Sequence, residues 1–74
     1  MDVTLLVTKS DFATANLEAE LKNLGVEFNV QYIENHPELV SMHQIRHSPN
    51  IFVNGSLIFR AQPSPEQLKA YFLP

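Results

Sequence analysis

The spacing of apolar residues changes period several times along this chain, and each change marks an element. Val3 to Val7 (VTLLV) is almost continuously apolar, the pattern of a short strand covered on both faces. Thr8 to Asp11 (TKSD) breaks the run, and Ser10 or Asp11 can accept a hydrogen bond from the free N–H groups opening a following helix. That helix is predicted through about Leu24. Leu17, Leu21 and Leu24 recur at intervals of four and three with Ala13 in register, Glu18, Glu20 and Lys22 fall elsewhere, and Gly25 supplies a left-handed stop. Val26 to Ile33 (VEFNVQYI) then alternates, with Val26, Phe28, Val30 and Tyr32 on one side and Glu27, Asn29 and Gln31 on the other. This is the period of a half-exposed edge strand.

Glu34 to His36 turns the chain, and Pro37 suits the first position of a second helix running through about Arg46, with Glu38 near its positive end. The most informative stretch is His47 to Arg60 (HSPNIFVNGSLIFR). Ile51-Phe52-Val53 and Leu57-Ile58-Phe59 flank Asn54-Gly55, a pair that tolerates the positive φ angles of a tight hairpin turn. Pro49, lacking an N–H, can begin a strand but cannot sit inside a ladder. Ser64-Pro65-Glu66-Gln67 is a capping box opening a short helix through Leu68, Tyr71 and Phe72. The order β-α-β-α-β-β-α predicts one α/β domain over residues 1–74. Its βαβ half imposes a parallel pair with a right-handed crossover, its hairpin half is antiparallel, and a mixed four-stranded sheet with helices on both faces buries all the apolar stripes.

Composition narrows the chemistry. A chain of 74 residues buries only about 60% of its unfolded surface, so its stability margin is thin. With 45% hydrophobic and 18% charged residues it is nevertheless a folding sequence rather than a disordered one. It has no cysteine, which excludes a disulfide framework, a thiolate zinc site and a thiol nucleophile. A net charge of -3 with five Lys and Arg is a poor match to a phosphate backbone, so no nucleic-acid partner is expected. Met1-Asp2 leads straight into the first apolar run without the basic start and long hydrophobic core of a signal peptide. No run approaches the roughly 20 apolar residues of a membrane span. The expectation is a cytoplasmic, unprocessed chain that uses no membrane.

On these residues the sequence resembles the thioredoxin superfamily, specifically its short glutaredoxin-like and archaeal-type small thioredoxin members, over nearly its whole length. Thr8-Lys9-Ser10-Asp11 is similar to the approach to the family's redox loop, Gly25-Val26-Glu27-Phe28 to the start of its second strand, and Pro37-Glu38-Leu39 to the start of its second helix. Ser48-Pro49-Asn50-Ile51-Phe52-Val53-Asn54-Gly55 resembles its cis-proline segment and hairpin, and is the most specific match. The resemblance implies a thioredoxin-like fold and a cis Ser48-Pro49 bond facing the redox motif. It also implies where the chemistry is missing. The family's Cys-x-x-Cys falls on Phe12-Ala13-Thr14-Ala15, making Phe12 and Ala15 the degenerate motif positions, or one residue earlier on Asp11 and Thr14. Dithiol exchange needs an attacking thiolate and a resolving thiol, and neither register supplies one. Where glutaredoxins carry a Gly-Gly pair, this chain has Phe59-Arg60-Ala61-Gln62, so glutathione is not expected either.

Two functional classes follow. The first is a redox-inactive module that binds a protein or extended peptide through Phe12, Ser48, Pro49 and Asn50, with no cofactor and no catalytic residue. The alternative is an enzyme of the same superfamily with non-dithiol, possibly glutathione-linked chemistry, in which Ser10, Asp11 or Thr14 stands for the thiol. Phe12 itself is open to two readings, a surface anchor or a ring folded back into the core. His36, His43 and His47 fall within about 40° of one another on an ideal helix. Without a convergent carboxylate they read as a solvated flank, and no metal is assigned. Tyr32, Tyr71 and Phe72 read as core and edge packing, Arg60 and Lys69 as solvated charges.

Overall fold

The computed structural model describes residues 1–74. Strand β1 (Val3–Val7) lies inside a four-stranded mixed sheet of order β2-β1-β3-β4, formed with β2 (Asn29–Tyr32), β3 (Asn50–Val53) and β4 (Ser56–Phe59). Helices α1 (Ala13–Asn23), α2 (Pro37–His43) and α3 (Pro65–Phe72) complete the chain, with a single 3-10 turn at Ile33–Asn35. No helix is long and apolar enough to cross a membrane.

The continuous apolar run of β1 is explained by its place. Val3, Leu5 and Val7 face Leu17 and Leu21 of α1 and Leu68 of α3, together with Ile51 and Val53. Leu6 faces the other way, onto Phe52 and Ile45, with Leu39 and Val40 of α2 packed against them. Helices therefore cover both faces of the sheet. β1 pairs parallel with β2 and antiparallel with β3, so its polar backbone is matched on both sides as well.

The turns behave as their residues dictate. Asn54 and Gly55 adopt φ of 51° and 85°, the paired left-handed geometry of a two-residue hairpin. Asn54 also ties down the N-terminus, its N–H donating to Asp2 O at 2.7 Å and its Oδ1 accepting from Asp2 N–H at 2.9 Å. A bulge between Ile51 and Phe52 in the β3–β4 register turns both Ile58 and Phe59 toward the α1/α3 core, where Phe59 meets Tyr71 edge-on. The capping box closes on both sides, Ser64 Oγ accepting from Gln67 N–H at 3.1 Å and Gln67 Oε1 from Ser64 N–H at 2.8 Å.

Three expectations need correction. β2 does not begin at Val26. The end of α1 is a Schellman motif in which Gly25 (φ 74°) and Val26 donate to Lys22 O and Leu21 O, so the Val26 N–H is used by the helix and the ladder starts three residues later. Val26 and Phe28 still pack on the core, but Tyr32, the last rung of an edge strand, is 40% exposed beneath Lys9. The second helix stops at His43 instead of Arg46. Gln44 turns left-handed (φ 53°) and Ile45 N–H returns to Val40 O at 3.0 Å, which drops Ile45 into the Leu6/Phe52 cluster. Burying Ile45 outweighs the strain of a non-glycine left-handed residue, typically about 1 kcal/mol. Arg60 is exposed but not simply solvated, since its Nη1 donates to His43 O at 3.0 Å and caps that helix end.

Two predictions follow from these termini. Ser64→Ala should destabilise the protein by about 1 kcal/mol, read as a lower urea midpoint at unchanged slope. Glu38 is held below the ordinary carboxylate range, first by a hydrogen bond from its own backbone N–H and then by His36. A depressed folded-state pKa contributes stability above the unfolded value that is lost as pH falls through the folded one. Glu38→Gln should therefore lower stability at neutral pH and leave it unchanged below the folded-state pKa, so that the acid limb of a stability-against-pH curve from denaturant unfolding becomes flatter.

Candidate functional site

The site is generated by register. β1 and β3 run antiparallel with Leu6 opposite Asn50, so Val7 falls opposite Pro49 and Thr8 opposite Ser48. Pro49 has no N–H to give, and the regular ladder ends there. The Ser48 hydroxyl takes over: its Oγ accepts from Thr8 N–H at 3.1 Å and donates to Asp11 Oδ2. The other Asp11 oxygen accepts from Ala13 N–H at 2.9 Å, satisfying a free donor of the first turn of α1. Of the two capping candidates, Asp11 does the work and Ser10 is exposed.

The loop between β1 and α1 is thus held from three directions. Asp11 N–H closes a turn on Thr8 O at 3.1 Å, Ser48 bridges Thr8 and Asp11, and Glu34 receives Lys9 N–H on both carboxylate oxygens at 3.1 and 3.2 Å. Phe12 follows directly and is 96% exposed. Its ring is not core, which rules out the packing reading of this residue. Ala15, one helical turn on, is exposed as well.

The proline segment is built differently from its sequence-based picture. Ser48-Pro49 is cis. Pro49 is fully buried, and Asn50 is only 1% exposed, its Nδ2 donating to Leu6 O at 3.1 Å and to His47 O at 2.7 Å. Asn50 is an internal brace, and its side chain is out of reach of a partner. Of the four expected contact residues, the structure presents Phe12 and half-buried Ser48 at the surface and folds Pro49 and Asn50 inward. The signal was available: a lone amide in the apolar strand NIFV has to find partners if it is buried.

What is exposed instead is the chain before the proline. The N–H groups of Arg46, His47 and Ser48 donate to no protein acceptor. Beside them lies an open cleft of about 230 Å³ lined by Thr8, Ile33, Ile45, Arg46, His47 and Ser48. Unpaired backbone donors next to an apolar-floored cleft are groups that a peptide's carbonyls can take. Catalytic geometry is not assembled from the alternative residues. Thr14 Oγ1 is buried without a hydrogen-bond partner, and the Asp11 carboxylate is occupied by Ser48 and Ala13. The histidines disperse: His36 pairs with Glu38 at 3.1 Å, His43 stacks edge-on against Phe52 at 5.0 Å, and His47 lies beyond the helix on the cleft rim.

Removing the bridging hydroxyl leaves a half-buried carboxylate oxygen and the Thr8 N–H without their partner. Ser48→Ala should accordingly cost about 1–2 kcal/mol in denaturant unfolding and accelerate hydrogen exchange at the Thr8 amide. Unchanged stability and protection would show that the bridge does not hold the loop. Compared with known proteins, the chain matches no family model, no curated sequence and no solved structure.

Proposed function

We propose that this chain is a redox-inactive, thioredoxin-like module that binds a protein or extended peptide in the cleft beside Ser48-Pro49. The element order and the β2-β1-β3-β4 sheet are compatible with that arrangement. The absence of cysteine removes dithiol chemistry. The observation that carries the reading is Phe12, 96% exposed on a loop that is hydrogen-bonded to the proline segment itself. A lone exposed apolar residue is ordinary on a protein surface. This one is the most exposed large hydrophobic of the chain and stands on a loop braced to Ser48 through Thr8 and Asp11.

In this reading the partner crosses the cleft beside Arg46 to Ser48, accepts main-chain hydrogen bonds from free N–H groups of that segment, and covers the Phe12 ring. Main-chain pairing uses no sulfur, so it is independent of the missing thiols. The altered-enzyme alternative would have to activate Ser10, Asp11 or Thr14. The hydrogen bonds of Asp11 and the unpartnered hydroxyl of Thr14 do not favour it.

The test is a pair of measurements on Phe12→Ala, using peptides selected from a displayed library on the folded wild-type chain. An aromatic anchor at an interface contributes on the order of 2 kcal/mol, so affinity should fall about tenfold to thirtyfold. The melting temperature should not change, because the ring makes no core contact. Unaltered affinity, or selected peptides that leave the amides of residues 46–48 unperturbed in NMR spectra, would refute the proposal.

A further inference from the structure

The charges around the cleft differ in what they are bonded to. Both nearby carboxylates are committed to the protein, Asp11 to the Ser48 hydroxyl and Ala13 N–H, and Glu34 to Lys9 N–H. The basic and imidazole side chains are not. Arg46 and His47 stand exposed on the rim with no hydrogen-bond acceptor or ion-pair partner for their side chains, and Lys9 extends over the Tyr32 ring with Nζ 5.9 Å from its centroid. The His36–Glu38 side-chain hydrogen bond lies elsewhere, at the start of α2. The uncommitted acids Asp2, Glu18, Glu20, Glu27 and Glu66 belong to the N-terminus, α1, the segment before β2 and α3. Lys22 and Lys69 lie on α1 and α3, so Arg46, with Lys9 near it, is the basic side chain this overall negative chain offers beside its free backbone.

We infer that the occupant of this cleft is an acidic extended peptide, one that alternates aliphatic and carboxylate side chains. The inference rests on the peptide-binding reading above and adds the chemistry of the ligand. An extended chain sends successive side chains to opposite sides. With its main chain beside Arg46 to Ser48, one aliphatic side chain sits between Ile33 and Ile45 on the floor, and the next residue's carboxylate is within reach of the long, uncommitted Arg46 guanidinium on the rim. Charge alone would suit any anion. The apolar floor of Ile33 and Ile45 beside unpaired main-chain donors favours a peptide over a small anion.

Three capped pentapeptides decide the matter: Val-Glu-Val-Glu-Val and its Gln and Lys analogues, titrated into the isotope-labelled full chain and followed by amide shifts. The glutamate peptide should bind several-fold more tightly than the glutamine one and the lysine peptide most weakly, with shifts centred on Arg46, His47 and Ser48. The margin should narrow as salt rises from about 0.01 to 0.15 M and the Debye length falls from about 30 to 8 Å. Arg46→Glu, at an exposed side chain without protein partners, should reverse the order of the glutamate and lysine peptides. Equal binding of all three at these amides would overturn the charge inference and leave the peptide-binding reading intact. No shift at residues 46–48 from any peptide would overturn both. Acetate or inorganic phosphate reproducing the shifts at equal concentration would reduce the cleft to a simple anion site, and concentration-dependent shifts without peptide would assign it to a second copy of the chain; either result overturns the inference.

Discussion

The constraint on which this structure depends is that β1 must be covered on every side. Its five residues VTLLV leave no polar face to turn toward water, so the strand needs a neighbour on each edge and a helix layer on each face. In a chain this short, nearly every element is drawn into that task. The crossover through α1 supplies the parallel neighbour, the hairpin supplies the antiparallel one, and α1 with α3 on one face and α2 on the other close the core. Covering both faces from 74 residues leaves few elements over, and α2, with seven residues, is the thinnest cover.

The site follows from the same constraint. Once β3 is antiparallel to β1, the loop that leaves β1 and the segment that enters β3 must meet at one end of the sheet, whatever their sequence. Sequence decides how they meet. The β1–β3 ladder ends at Leu6 and Asn50, next to Pro49, and beyond it the Thr8 N–H donates to the Ser48 side chain. The main chain of residues 46–48 is not paired with β1, and the Ser48 hydroxyl bonds the proline segment to the helix-opening Asp11. A braced loop and a run of unpaired backbone N–H groups therefore lie side by side where the ladder stops at Pro49.

How much of this was legible in the sequence depends on whether the determinant is local. Asn54-Gly55 and the Ser64–Gln67 box act within four residues, so they read directly and appear as read. The end of α2 does not. No glycine marks Gln44, and the helix stops there because Ile45 gains a place beside Leu6 and Phe52, a tertiary gain that overrides a local penalty. The start of β2 was hidden for a related reason: its alternation is real, but the backbone of Val26 was already engaged by the Schellman motif. At the site, the sequence left Phe12 open between surface and core because its fate depends on what packs over the start of α1, and the burial of Asn50 depends on its register against Leu6, which no single segment encodes.

Small size also shapes which part of the site can do the binding. A pocket deep enough to enclose a ligand would have to be cut from a core of eleven buried hydrophobic side chains, and each one removed would forfeit a sizeable share of a thin stability margin. Backbone donors at the surface avoid that conflict. The N–H groups of Arg46, His47 and Ser48 exist whether or not a partner is present, and water satisfies them meanwhile at little cost. Phe12 is similarly detached from the core, so its apolar surface is available without loosening anything beneath it. The residues that hold the loop, Asp11, Ser48 and Glu34, are distinct from those that face outward, Phe12, Arg46 and His47. Substitutions in the outward set are free to change what is bound while the hydrogen bonds of the inward set keep the geometry in which it is bound.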